Sequence, residues 1–383
     1  MVPRAWRDDP RSVMTLDAGG TSFRFRGMRG GAAVTETFTE PSHGDDLDRC
    51  LGTLASGFAR VRAQCPAAPA AISFAFPGPA DYPRGIIGDL PNLPAFRGGV
   101  ALGPMLEDRF GIPVFIRNDG DLFAYGEALA GFLPFVNGLL AQASSPKRYR
   151  HILGVTLGTG FGGGIACTDE HGVALYEGDN SGAGEMWLLR NKTQPAMNAE
   201  EGASARAVRR AYAERAGLPL DAVPDAGAIF EIGCGPESGE RAAAIEAFRR
   251  LGEVAGDALA QAVTLLDALV VIGGGVSAAW SLFLPALVGE MNGFYVGPSG
   301  ERVPRLTQSV FNLEDPVARA AFVRGDPREI AVPGSARRVR YDAGRRIGVG
   351  ISRLGTTEAI ETGAYAFAVR ELGPPRENAP WSA

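Results

Sequence analysis

Two aspartates stand where the chain leaves strand-like runs. Asp17 ends the apolar run Val13 to Leu16 and is followed at once by Ala18-Gly19-Gly20-Thr21. Asp119 follows Asn118 just past the run Val114-Phe115-Ile116. Open α/β sheets gather ligands at such strand ends. Gly19, Gly20 and Thr21 suit a backbone that approaches phosphate oxygens. Asp17 suits a Mg²⁺ ligand acting through water, since Mg²⁺ takes few carboxylates and keeps several waters. Asp119, with Asn118 positioning the acceptor, suits the group that takes a proton from an attacking hydroxyl. Together these roles describe phosphoryl transfer, where positioning, charge neutralisation and one acid–base residue do most of the work. Each aspartate also has a purely structural use, Asp17 as a turn acid and Asp119 as a helix cap.

A second set of residues is built from glycine. The stretch Val155 to Ile165 holds Gly158, Gly160, Gly162, Gly163 and Gly164, with Thr159 adding a hydroxyl. Successive N–H groups in such a turn form a concave anion site. Gly158, Gly160 and Gly163 satisfy G-x-G-x-x-G, but a dinucleotide loop opens a helix and here Ile165-Ala166-Cys167 continues as a strand. The other signatures of a protein kinase, V-A-I-K, H-R-D and D-F-G, are absent, as is the G-x-x-x-x-G-K-[ST] phosphate loop. Gly273-Gly274-Gly275 ends the apolar run Leu269 to Ile272. It serves either close strand–helix packing or close approach to a nucleotide's ribose and phosphates.

The elements that must hold these residues follow from periodicity. Strand, glycine turn and strand are expected from Val13 through Phe25, with a third strand from Ala33 to Thr39. A helix opens at Asp45 and Asp46 and carries Leu47, Leu51, Leu54 and Phe58 at helical spacing. Short strands are expected at 72–76, 86–87 and 114–116, and helices at 102–110 and through Tyr125 and Glu127. Ala199 to Ala216 reads as one helix. Glu240 to Leu266 reads as a long one, with Ile245, Phe248, Leu251, Ala255, Leu259 and Val263 on its core stripe. A helix to Met291 and a last one after Gly355-Thr356-Thr357 complete the pattern. Residues 131–150 read as a connection and 294–345 as irregular, and neither has an assigned role. Thr15-Leu16-Asp17-Ala18-Gly19-Gly20-Thr21 echoes Thr156-Leu157-Gly158-Thr159-Gly160, so two similar α/β halves could close on a ligand between them.

Composition sets the outer bounds. The chain has 383 residues, 45% of them hydrophobic and 21% charged, an ordinary globular balance with room for two cores. A net charge of −5 argues against a nucleic-acid or membrane-surface role. Cys50, Cys65, Cys167 and Cys234 lie far apart, and with His43, His151 and His171 they form no zinc spacing. No secretory leader pattern and no apolar run of about 18 residues is evident, so a soluble cytoplasmic protein is expected.

The ordered set of D-x-G-G-T, N-D, L-G-T-G-F-G-G-G and I-G-G-G resembles the ROK family of sugar kinases and related regulators. That family lies within the superfamily of sugar kinases, heat-shock ATPases and actin. Pro77-Gly78-Pro79, Asn92-Leu93-Pro94, Gly126-Glu127 and the run from Gly348 to Tyr365 agree, and the resemblance covers about residues 13–372. It implies an α/β, two-domain actin-like ATPase (ribonuclease H-like) fold with an interdomain cleft. The smaller domain would comprise 1–118 plus 355–383, the larger 119–354. It implies ATP-dependent phosphorylation of a sugar hydroxyl, with Mg²⁺, and Asp119 as general base. Asn92, Asn118, Asp119 and Glu185 match sugar-contacting positions, and Glu200, in the E-x-x-x-S stretch ending at Ser204, is a further acidic candidate for the sugar. Asp17, Gly19, Gly20, Thr21, Thr159, Gly160, Gly274 and Gly275 match the nucleotide side.

Departures from the family pattern matter equally. Leu188 stands where many members have a histidine, and Arg190-Asn191-Lys192-Thr193-Gln194-Pro195 where zinc-binding cysteines follow. No structural zinc is therefore expected, and a glucose-like substrate does not follow automatically. The expected partners are a small-molecule sugar and ATP, without nucleic acid or membrane, and with a homodimer as the assembly to test for. The alternative is a non-catalytic sugar-binding or regulatory relative. Repressors of the family carry a helix-turn-helix ahead of D-x-G-G-T, and only sixteen residues precede Asp17 here.

Overall fold

The computed structural model describes residues 6–19, 21–88, 94–235 and 237–374. The chain opens with β1 (Val13–Ala18), β2 (Ser22–Arg29), β3 (Ala32–Ala33) and β4 (Phe38–Pro41). The single third strand expected at 33–39 is thus two short ones, both paired to β2. Next come α1 (Leu47–Gln64), β5 (Ala71–Ala75), β6 (Ala80–Asp81), β7 (Ile86–Ile87), α2 (Leu102–Phe110) and β8 (Val114–Arg117). Asp46 caps α1 by accepting from the Arg49 N–H at 3.1 Å.

The middle of the chain holds α3 (Asp119–Leu129), α4 (Phe132–Gln142), β9 (His151–Leu157), β10 (Phe161–Asp169), β11 (Gly172–Leu175) and α5 (Ala205–Ala216). It continues with α6 (Ala226–Cys234), α7 (Arg241–Leu266), β12 (Leu269–Gly273) and α8 (Trp280–Met291). The last part is β13 (Phe294–Val296), β14 (Arg302–Pro304), β15 (Ser309–Asn312), α9 (Pro316–Arg324), β16 (Pro327–Ala331), β17 (Arg338–Asp342), β18 (Arg346–Ile351) and α10 (Thr356–Glu371).

Two sheets repeat one strand order. The first runs β3-β2-β1-β5-β8, with β1 antiparallel to β2 and parallel to β5. The second runs β11-β10-β9-β12-β18-β15, with β9 antiparallel to β10 and parallel to β12. The echo between Thr15–Thr21 and Thr156–Gly160 is therefore an echo of whole half-molecules. In both sheets the glycine turn joins the antiparallel pair, and the parallel strands end on the same side as that turn. Parallel strands are covered on both faces, and β12 is buried at every position.

Packing forms successive layers. The first sheet packs on α1 and α2 through an aromatic core in which Phe58 meets Phe25 at 5.4 Å and Phe74 at 5.7 Å between ring centres. Its other face receives α10. The second sheet packs on α7 and α8 through Leu153, Val155, Val270 and Ile272. Its opposite face receives α3 and α4 through Ile152, Leu269 and Val271. Each large apolar side chain so buried contributes about 1.5–3 kcal/mol. α3 and α10 therefore meet between the sheets. Their axes approach so closely that a Cβ on Gly126 would lie 2.0 Å from the Ala359 carbonyl, and one on Gly363 would lie 2.2 Å from that of Leu122.

Several sequence expectations change. Residues 131–150 contain α4, whose Pro134 sits in the first turn, where a missing N–H costs nothing. Gly131 offers no cap; the buried Glu127 carboxylate does, accepting the Phe132 N–H at 2.6 Å. The same carboxylate accepts from the Ser352 hydroxyl and, at 3.2 Å, from the Leu354 N–H. Residues 294–345 are not irregular: they hold two hairpins, α9, and β15, which pairs with β18. The helix expected over 199–216 is a short turn at Ala199–Glu201 followed by α5. Ile245 is 40% exposed, because the inward stripe of α7 starts instead at Ala244 and Ala247. The stretch 119–142 reaches membrane-spanning length with a largely apolar composition. It breaks after Leu129 into α3 and α4, and most of it is interior.

Candidate active site

The first sheet delivers Asp17 and Asn118. Asp17 is the last-but-one residue of β1, and its carboxylate accepts no hydrogen bond among the described residues. Burial raises its pKa above the usual 3.8, while Arg24 and Arg26 oppose the rise. Gly19 closes the turn by donating to the Ser22 carbonyl at 3.0 Å, and Thr21 is exposed there. Gly20 and Asn92 lie outside the described residues.

Asn118 is the N-cap of α3: its Oδ1 accepts the Gly120 N–H at 2.8 Å. Its amide donates to the Tyr82 hydroxyl at 3.2 Å, which in turn donates to the Phe76 carbonyl at 2.9 Å. The cap role considered for Asp119 thus belongs to Asn118. Asp119 is the first helical residue, accepts the Gly120 N–H at 2.9 Å, and leaves its second oxygen open. Its side chain is exposed to the cleft. The closely packed protein around it nevertheless desolvates the carboxylate and raises its pKa above 3.8. The backbone N–H groups of Gly120 and Asp119 itself oppose this, and Asp17 adds to it. The N-terminal turn of α3 lies against β10, where a Cβ on Gly120 would be 2.5 Å from the Gly163 carbonyl.

Glu185 arrives from beyond β11, on the residue after Gly184, which packs on Gly163. It accepts from the Trp187 indole N–H. Burial raises its pKa, and Asp119 and Glu200 raise it further. Asp17 thus acts on Asp119, and Asp119 and Glu200 act on Glu185, which makes the four carboxylates successive neighbours. Glu200 has a different place from the one its sequence suggests. Its Oε2 accepts the Phe161 N–H at 3.0 Å and its Oε1 pairs with Arg206, so both oxygens are engaged at the glycine turn.

That turn is braced from one side. Ala205 N–H donates to the Gly158 carbonyl at 2.8 Å, and Arg206 Nη1 to the Thr159 carbonyl at 3.0 Å. Gly274 closes the other side. It has φ +84°, and a Cβ there would lie 2.2 Å from the Leu157 carbonyl, so only glycine fits. Its N–H is held by the Thr356 hydroxyl at 2.7 Å. Between Thr159 and Gly275 opens a largely apolar cavity of 310 Å³, walled by Gly227, Phe230, Phe248 and Ala279. Its size and lining suit a nucleoside. Arg206, which with Arg209 and Arg210 reads in the sequence as a solvated helix face, instead holds the turn and Glu200. Tyr82 and α6 with Phe230 went unnoticed, because their contacts come from elements distant in the chain.

At 190–195, where the family resemblance leads one to expect cysteines, Asn191 organises the chain. Its Oδ1 accepts from Thr193 N–H and Oγ1 at 2.9 Å and from Gln194 N–H at 3.1 Å. No group of three or more His, Cys, Asp or Glu side chains among the described residues could hold a metal ion. Asp17 fits Mg²⁺ in the other manner, as one open carboxylate beside the turn that Gly19 closes on Ser22.

Asp121, one helical position inward from the cleft, is 4% exposed, and its Oδ1 has no partner. Burial pushes its pKa well above 3.8, Glu177 and Asp119 add to the rise, and Arg117 opposes it. A carboxyl with a raised folded pKa holds its proton more tightly in the folded state. Its contribution to stability is full below about pH 4 and is lost as pH rises through the folded pKa. Asp121→Asn is therefore expected to be more stable than the parent at about pH 8, with the difference closing toward pH 4. Urea midpoints at both pH values check this.

Two sheets of one strand order, each ending its parallel strands at a glycine turn beside a common cleft, define the actin-like ATPase fold. The chain belongs to the ROK family, whose sequence pattern matches residues 13–321. A crystal structure of a glucokinase from Parabacteroides distasonis is similar at TM-score 0.86 and 52% identity, covering 95% of this chain and 99% of that one. The glucokinase of Thermotoga maritima is 28% identical over 229 residues, which span 55% of this chain and 65% of that protein. A ROK glucokinase from Streptomyces griseus, solved with glucose and AMPPNP, shares the fold at TM-score 0.61 and 19% identity, covering 94% and 99% of the two chains.

Proposed function

We propose that the protein is an ATP-dependent carbohydrate kinase of the cytoplasm that transfers the γ-phosphate to a hydroxyl of a hexose or hexose derivative. The observation that carries this reading is the open carboxylate of Asp119. It stands at the mouth of α3, within the field of Asp17 and Glu185, beside the glycine turn of the second sheet. The 52% identical glucokinase supports the acceptor class, and the AMPPNP-bound relative supports the donor.

In this reading the nucleoside enters the 310 Å³ cavity. Its phosphates lie along Thr159, Gly160, Gly274 and Gly275 toward Gly19, Gly20 and Thr21. Asp17 would hold Mg²⁺ through water, and the ion when bound neutralises phosphate charge. Asn118, Asn92 and Glu185 orient the sugar. Asp119 takes the hydroxyl proton as the oxygen attacks the γ-phosphorus, and backbone N–H groups at the glycine turns offset the charge that develops. Glu200, tied to Arg206, holds the turn and leaves sugar contact to the others.

In the same reading the two domains expected from the sequence, 1–118 with 355–383 and 119–354, move about the contact of α10 with α3. Closure about that contact excludes the water that would otherwise hydrolyse ATP. The test of the acceptor is a comparison of kcat/KM for glucose, mannose, N-acetylglucosamine and fructose with Mg-ATP. Glucose or a close derivative is expected to lead. A preference for a non-carbohydrate alcohol would overturn the assignment.

A further inference from the structure

The segments 131–150 and 294–345, which the cleft does not use, meet at the opposite end of the second sheet. Lys147, Arg148 and Arg150 come from the first, and Thr307, Gln308 and Arg345 from the second; with His151 they line a cavity of 400 Å³. His151 is the first residue of β9, whereas the glycine turn follows its last. Seven residues of strand separate the two by about 20 Å. The cavity is therefore remote from the proposed kinase chemistry.

Its charge is one-sided. Lys147, Arg148, Arg150 and Arg345 have no ion-pair partner among the described residues. Asp267 is the acid on the wall, and it already accepts from the Gln308 amide at 2.7 Å. Arg346 is neutralised by Asp342 through bonds of 2.8 and 2.7 Å. A concentration of free cations in a chain of net charge −5 is not the background of this surface. Burial, and then the neighbouring Arg346, push the Lys147 pKa down, while Asp342 and Asp267 oppose the shift.

The wall is also built before any ligand arrives. Tyr149 OH donates to the Arg346 carbonyl at 2.6 Å, and its ring stacks on Phe322 at 5.7 Å. Asn137 pins the Tyr149 backbone from both sides at 2.9 Å. A cluster of guanidinium and ammonium groups carried on so fixed a wall favours phosphoryl oxygens, which guanidinium binds in pairs. We propose that this cavity is a binding site for a small anion carrying two or more phosphoryl groups, distinct from the substrates of the cleft.

Calorimetric titration of the AMPPNP-saturated protein tests this, with tripolyphosphate and fructose 1,6-bisphosphate as probes. Binding of at least one probe is expected. Arg150→Gln/Arg345→Gln is expected to weaken it about tenfold or more, and Lys147→Gln by a smaller factor. Arg150 and Arg345 are exposed and their side chains make no hydrogen bond among the described residues, so the double variant keeps its fold, as an unchanged thermal midpoint will show. The tighter probe tells an inorganic phosphate chain from a phosphate ester. Equal affinity in parent and double variant, or no binding of either probe at about 1 mM, would overturn the proposal. Neither residue touches the glycine turns, so a failure of the kinase reading leaves this result readable.

Discussion

Asp119→Asn is expected to lower kcat by roughly two to four decades, with the KM for ATP little changed. The substitution keeps the shape of the side chain and its contact with the Gly120 N–H, but the amide cannot accept the hydroxyl proton. The nucleotide cavity lies at other elements, so AMPPNP affinity is expected to persist. The pH dependence has a defined sign. Burial raises the Asp119 pKa above 3.8, and in the proposed mechanism the base form is the active one. The parent's kcat/KM therefore falls as pH drops through that raised value, about tenfold per unit on the acid side. The variant loses that limb. A full-rate variant, or one with an unchanged acid limb, would remove Asp119 from the mechanism.

The second large effect concerns folding. Glu127→Ala is expected to lower the free energy of unfolding by about 3 kcal/mol or more. The carboxylate is fully buried and serves three elements at once: it sits on α3, caps α4, and receives the chain leaving β18. Removing it strands the buried Phe132 N–H and takes a partner from the half-buried Leu354 N–H and Ser352 hydroxyl. Glu127→Gln retains one accepting oxygen and is expected to recover part of the loss. Urea unfolding of the three proteins decides this, and an alanine variant as stable as the parent would show that the network carries no net stability.

The two halves were legible because glycine turns between apolar strands are local signals. Asp17 and Asn118-Asp119 announce themselves at strand ends, and the structure places them within one another's field. What escaped was what depends on distant parts of the chain. Tyr82 reaches Asn118 across 36 residues, and Arg206 reaches Thr159 across 47. Nothing in either neighbourhood signals the contact. α4 was hidden because Pro134 and Ser144-Ser145-Pro146 make 131–150 read as a connection, and the cap that starts the helix comes from Glu127. The hairpins between 294 and 342 are largely exposed on both faces, so the alternation that reveals a strand is missing. The partners of Glu200 were hidden for a related reason: its acidity was visible, but its tie to Arg206 was not.

The most direct measurement is the formation of ADP and sugar phosphate from Mg-ATP with and without glucose, followed by a coupled assay and by phosphorus NMR. The account predicts ADP release that depends on the sugar, one sugar phosphate per ADP, and loss of both in Asp119→Asn. ADP release that no hexose raises above the rate in water, or a sugar phosphate yield unaffected by Asp119→Asn, would contradict it.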